Sequence, residues 1–327
     1  MRRVLWLGLA LLILSGLAAA GGYFFLQRLY TAPGPLVQDT TLVVARGQGF
    51  SGISKQLATA GIVRQALLFQ AVARLERRTR SLQAGEFVFP AQVSMAGVLD
   101  ILEAGKTVVR RLTVPEGLTS AEVVALVAQA EGLTGELDHV PPQGALLPET
   151  YYYTWGDSRV DLLAWMNSSM SELVLELWPT RQQDLPFTSP KEAVILASIV
   201  EKETGLASER PLVASVFLNR LRKGMRLQSD PTVAYALTNG KRPLERALTR
   251  ADWKLESPYN TYLIKGLPPG PIANPGRESI QAVLNPATSD YLYFVADGRG
   301  GHVFARTLKE HNRNVAKWRQ WKRVNDN

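Results

Sequence analysis

The chain has 327 residues, 46% hydrophobic, 8% aromatic and 20% charged, which suits roughly two folded domains and excludes disordered, collagen-like and disulfide-scaffold classes. Its 37 basic and 29 acidic side chains leave a net charge of +8, which favours a polyanionic partner. With no Cys, and with His139, His302 and His311 never four residues apart, thiolate chemistry is excluded and a zincin-type metal site is not expected.

Val4 to Leu26 is a run of 23 residues without Asp, Glu, Lys, Arg or His, long enough as a helix to cross a hydrocarbon core of about 30 Å. Arg2 and Arg3 precede it, so the positive-inside rule places residues 1–3 in the cytoplasm, 4–26 across a membrane as a single-pass anchor, and the rest in an extracytoplasmic space, which the family resemblance given below makes an inner membrane and a periplasm. A cleaved signal peptide ending at Ala18-Ala19-Ala20 is the alternative; apolarity continuing through Tyr23–Leu26 favours the anchor. Either reading exports the chain and argues against a nucleic-acid partner.

The stiff stretch Thr31-Ala32-Pro33-Gly34-Pro35 lies within an expected linker over 27–40. A strand-like run Thr41–Val44, helical patterns at Ser51–Ala60 and Gln65–Arg77, and an extended run Glu86–Phe89 predict a β-α-α-β unit within residues 41–105. That pattern resembles a LysM module, which implies glycan binding. An offset of 70 residues pairs Leu42 with Leu112, Gly47 with Gly117 and Ala58 with Ala128, so a strand, a glycine turn and a helix recur in a connecting subdomain over 106–185. Common strand–turn–helix patterning accounts for the echo equally well. A helix follows at Leu162–Leu177.

Residues 186–327 are expected to form the catalytic domain, and the class overall is α+β. Ser189-Pro190-Lys191-Glu192 is a capping box with proline at the first helical position, predicting a helix from Pro190 to Glu203. Val194, Ala197, Ser198 and Glu201 share one stripe of it, so Glu201 presents a carboxyl among apolar neighbours, where lost hydration favours the proton-donating form. A solvated Glu201 paired with Lys202 or Arg220 is the alternative. A second helix opens at Ser208-Glu209-Arg210-Pro211 and stops at Gly224. Loops at Leu227–Thr232, Ser257–Tyr262 and Gly266–Pro271 combine amides, hydroxyls and rings in a manner suited to a saccharide cleft. Tyr291–Ala296 and Val303–Ala305 flank a glycine turn and predict a hairpin, and Thr307–Glu310 caps a terminal helix with a basic face at Lys309, Arg313 and Lys317.

Taken together, Ala197–Thr204, Leu227–Thr232, Pro258–Tyr262, Gly266–Gly270 and Tyr293–Gly298 resemble the YceG-like family of endolytic murein transglycosylases, over roughly Thr41 to Val315. The resemblance implies a membrane-bound lyase that cuts nascent peptidoglycan strands between N-acetylmuramic acid and N-acetylglucosamine, leaves 1,6-anhydro ends and terminates elongation beside penicillin-binding synthases. It implies no cofactor and no metal, with Glu201 as catalytic acid and then base. The order Glu201, Gln228, Tyr259-Asn260 also resembles lysozyme-like lytic transglycosylases, although Lys202 stands where those have serine. By that likeness Gln228, Asp230, Thr232, Tyr259, Asn260 and Tyr262 bind substrate. Hydrolysis with Asp230 or Glu203 activating water, and a non-catalytic wall-binding scaffold, are the competing functions.

Overall fold

The computed structural model describes residues 2–79 and 82–325. It is an α+β protein with two compact units: Met1–Arg110 with Glu131–Leu133 and Tyr152–Asp157, and Arg111–Ala130 with Thr134–Tyr151 and Ser158–Asn327.

The first unit begins with a long apolar helix, α1 (Arg2–Thr31), of which the 26 residues Trp6–Thr31 meet the length and composition needed to cross a membrane. Gln27 donates to Glu76, and the buried Tyr30 hydroxyl accepts from Arg78, so the last turn of α1 is part of the unit's packing. Beyond it, Gly34 donates to the Gln92 carbonyl, Gln92 to that of Leu36, and Ala91 to the Asp39 carboxylate. The segment expected as a linker is thus helical to Thr31 and then bonded to the unit's body. Gly34 is required there, because a Cβ would collide with the Val93 carbonyl.

Strand β1 (Thr40–Val44), helices α2 (Phe50–Thr59) and α3 (Ala66–Leu75) and strand β2 (Gly85–Phe89) follow in the expected order. β1 and β2 pair antiparallel, with Leu42 opposite Phe87 and Val44 opposite Gly85. Phe69, Phe87, Phe89, Leu57 and Leu99 are fully buried between this ribbon and the helices, each side chain contributing about 1.5–3 kcal/mol by burial. Helix α4 (Met95–Ala104), not anticipated from the sequence, starts at a Ser94 cap and ends at Gly105 in the left-handed region, both standard boundary signals. β3 (Val109–Thr113), helix α5 (Ser120–Gln129) and β4 (Thr150–Thr154) come next. A strand, a glycine turn and a helix therefore do occur at both positions of the 70-residue echo.

In the second unit, α5 carries a Thr119–Glu122 capping box, and α6 (Arg159–Leu177) starts at Ser158, whose hydroxyl accepts from Asp161 N–H. At the centre stands α7 (Pro190–Glu203), with the predicted Ser189–Glu192 box and every residue from Ala193 to Glu201 buried. Such all-round burial marks a helix surrounded by others rather than one lying on a surface. Its neighbours are α8 (Arg210–Arg222), α9 (Asp230–Thr238) and α10 (Arg277–Leu284), which supply Val213, Phe217, Val233, Ile280 and Val283 to the buried set. The sequence reading had Leu227–Thr232 as a loop; Asp230 and Pro231 instead form the first turn of α9, a place both residue types favour. An antiparallel hairpin of β5 (Tyr293–Ala296) and β6 (His302–Ala305) precedes α11 (Leu308–Asn325), as expected. The Trp321 ring lies so close over Gly298, which has φ near +81°, that no other residue fits this turn.

Candidate functional site

Helix geometry turns each residue about 100° from the last, so Glu201 and Glu203, two apart near the end of α7, point to nearly opposite sides. Glu201 faces inward, with 4% of its side chain exposed. Its Oε1 accepts from Arg210 Nη2 at 3.1 Å and its Oε2 from the Gly276 N–H at 2.8 Å. The Arg210 guanidinium also binds Glu116 at 2.7 Å and pairs with Glu278. Gly276 has no Cβ that would strike the Glu116 carboxylate. Burial, and then the neighbouring Glu201 charge, push the Glu116 carboxyl above its ordinary value. Three carboxylates share one guanidinium here, and the cluster ties the start of α8, the start of α10 and the loop before α5 to α7.

Glu203 faces a cleft of about 420 Å³ that it lines with Arg220, Gln228, Asp230, Tyr262, Tyr293, Phe294 and His311. Burial pushes its carboxyl up to about 7, and the nearby Asp230 charge acts in the same direction. The Ser229 hydroxyl, donating to Glu203 Oε1 at 2.6 Å, and the nearby Arg220 guanidinium act against that rise. Arg220 is buried, donates to the Leu292 and Leu227 carbonyls, and lies 5.2 Å from the centre of the Tyr293 ring. On the other wall, Asp230 Oδ1 accepts from the Tyr262 hydroxyl at 2.7 Å and from Trp253 Nε1 at 3.0 Å, and those two rings stack 5.8 Å apart. Burial and Asp230 raise the Tyr262 hydroxyl well above its ordinary value, so it remains a donor.

Of the residues anticipated as substrate-binding, Gln228, Asp230 and Tyr262 therefore line the cleft. Thr232 and Asn260 are fully buried behind it. Thr232 Oγ1 bonds the Ser229 carbonyl and the Thr261 hydroxyl, while Asn260 donates to the Trp253 and Leu255 carbonyls and accepts from Tyr262 N–H. These two hold the cleft's backbone in place. Tyr259 packs its ring 4.8 Å from that of Tyr235. Gln228 itself sits at φ near +51° with its N–H bonded to the Thr261 carbonyl, which aims the residue from a tight turn. Trp253, Tyr293, Phe294 and His311 were not among the sequence candidates. Tyr293 and Phe294 read there as strand residues within a family motif but were not named as site residues, and Trp253 lay outside every motif.

The hairpin reaches the end of α7 through one acidic residue. Glu209 accepts from the His302 N–H at 2.8 Å and contacts His302 Nδ1 at 2.7 Å, close to the Thr204 hydroxyl. Among the described residues no group of three or more His, Cys, Asp or Glu is arranged to hold a metal ion.

Comparison with known proteins matches the YceG-like family model to residues 42–317. An endolytic murein transglycosylase of Streptococcus pneumoniae (strain D39) is 30% identical over an alignment that covers 94% of this chain and 64% of the relative, so the chain spans under two thirds of that protein's length. One from Bacillus subtilis (strain 168) is 29% identical, with 91% of this chain and 90% of the relative covered. The crystal structure of a YceG-like protein from Listeria monocytogenes superposes with a TM-score of 0.52 at 30% identity, covering 84% of this chain and 99% of that one. A family match over most of the chain, and a solved relative with the same fold, lead to one conclusion: the chain belongs to the YceG-like family.

Proposed function

We propose that the chain is an endolytic murein transglycosylase whose proton-transfer residue is Glu203. The observation that carries this reading is a half-buried carboxyl raised to about 7, facing a cleft of amides, hydroxyls and aromatic rings, in a chain whose named relatives are endolytic murein transglycosylases. The motif resemblance pointed to Glu201. We assign the role to its neighbour because both Glu201 oxygens are engaged by Arg210 and Gly276, whereas Glu203 meets the cleft.

In this mechanism protonated Glu203 gives its proton to the glycosidic oxygen linking N-acetylmuramic acid to N-acetylglucosamine, and the C1–O4 bond breaks with its electron pair leaving on that oxygen. The Glu203 carboxylate then takes the proton of the muramic 6-hydroxyl, whose oxygen closes onto C1. The products are a 1,6-anhydro end and a free 4-hydroxyl, Glu203 regains its proton and no water is consumed. The Ser229 hydroxyl steadies the carboxylate form between the two transfers. Tyr262, backed by the stacked Trp253 ring, and Tyr293 offer faces for sugar rings, and Gln228 offers an amide for hydroxyl or acetamido groups.

The same reading makes α1 a single-pass anchor with its amino terminus in the cytoplasm. It makes the β1–α2–α3–β2 unit a LysM-like glycan-binding element and the activity a terminator of strand elongation next to penicillin-binding synthases. The test is digestion of un-nicked peptidoglycan by the full chain, with Glu203→Gln and Glu201→Gln alongside, and mass spectrometry of the released ends. Anhydromuramic ends lost only with Glu203→Gln are expected; reducing muramic ends, or loss confined to Glu201→Gln, would overturn the mechanism.

A further inference from the structure

A second groove opens beside the Glu203 cleft, separated from it by the ends of the same two helices. Glu203 lines one and Lys202 the other; Asp230 lines one and Pro231 the other. This groove, about 250 Å³, runs along α9 past Ala234, Tyr235 and Thr238 to Arg242. Glu122 lines it too, its Oε2 accepting from the Thr119 N–H and hydroxyl at 2.8 and 2.9 Å, so the groove carries two cations against one carboxylate. Lys202 Nζ bonds only a neutral acceptor, the Gly117 carbonyl at 3.2 Å, and Arg242 forms no ion pair among the described residues. Two cations therefore line a groove of pocket size whose walls offer a tyrosine ring, two threonines and apolar side chains.

From this we infer that the groove binds a short peptide with free carboxylates that branches from the glycan held in the Glu203 cleft. The inference rests on the proposed transglycosylase reading, in which each muramic sugar carries such a peptide. A sugar seated at Glu203 would send that substituent around the first turn of α9, toward Lys202 and Arg242. Carboxylates are the groups that two cations outweighing one carboxylate recognise. An uncharged glycan branch would leave both cations without partners.

The test compares full-chain wild type, Arg242→Glu and Lys202→Gln on strands with intact peptides and on the same strands stripped by an amidase. Glutamine at 202 keeps a donor for the Gly117 carbonyl, and Arg242 is exposed, so neither change threatens folding. Expected is a KM on intact strands raised roughly threefold by each variant with kcat unchanged, and no change on stripped strands. Equal KM for variants and wild type on intact strands, or equal losses on both substrates, would overturn the inference while leaving the transglycosylase reading in place. If wild type yields no anhydro ends from either substrate, the activity reading fails instead. Calorimetric titration with the free acidic peptide then decides the groove: binding weakened by Arg242→Glu sustains it, and no binding by wild type ends it.

Discussion

Two glutamates separated by one lysine occupy opposite environments, one tied into a charge cluster and the other facing a cleft. Glu201 is almost fully buried, yet an arginine and a backbone N–H occupy its oxygens, so it serves as an anchor for four chain segments. Glu203 is less deeply enclosed and has one hydroxyl donor, and it is the one whose proton is held to about 7. On the proposed reading, a general acid needs a carboxyl that faces the cleft and is not fully engaged by donors, and of the two only Glu203 lines that cleft.

The largest effect that would break this contrast concerns catalysis. Glu203→Gln is expected to lower kcat by about 10²–10⁴-fold while leaving the thermal unfolding curve near that of wild type, read by anhydro-end formation and circular dichroism. On the other face of α7 the expectation reverses. Arg210→Leu leaves the carboxylates of Glu116, Glu201 and Glu278 without their cation, and the second unit should lose about 3–5 kcal/mol in urea denaturation. Similar stability of the two variants would erase the distinction between anchor and acid.

Acidity sharpens the comparison further. Glu203 must start protonated, so kcat should fall as pH rises through about 7, along a single-proton limb. The linked stability has the same sign: a carboxyl raised on folding binds its proton more tightly in the folded state, so stability declines as pH climbs from the unfolded value toward 7. Glu203→Gln should flatten that slope, whereas a wild-type rate independent of pH between 6 and 8 would count against the assignment. The smallest effect belongs to Asp230. Its charge raises Glu203, so Asp230→Asn should move the limb of the kcat profile to lower pH, and an upward move would show that the Asp230 charge does not govern Glu203.

Much of the backbone was legible because local chemistry sets it. Ser189 and Glu192 announce α7, Gly224 ends the helix pair, and the glycines after Asp297 make the β5–β6 turn, all within a few residues of the feature they cause. Helices α4 and α10 went unread, although Ser94 and Gly105 are ordinary boundary residues for the first. At the site, the stripe through Val194, Ala197, Ser198 and Glu201 leads to Arg210 and Gly276, while the cleft lies beside Glu203. A stripe orients a helix only when one side meets solvent, and α7 is buried on every side from Ala193 to Glu201.

What the amino-acid order determined by itself is therefore the apolar amino-terminal span, the β-α-α-β and hairpin elements, the helix carrying both glutamates, and the family resemblance. Each depends on periodicity, caps and turns among near neighbours. Only the tertiary structure decided which glutamate meets the cleft and which meets Arg210, because Gly276, Glu116 and Glu278 reach α7 from segments 68 or more residues away from Arg210 or Glu201. The balance of burial, hydrogen bonds and charge at a carboxyl is a sum over such distant groups, and no local pattern carries it.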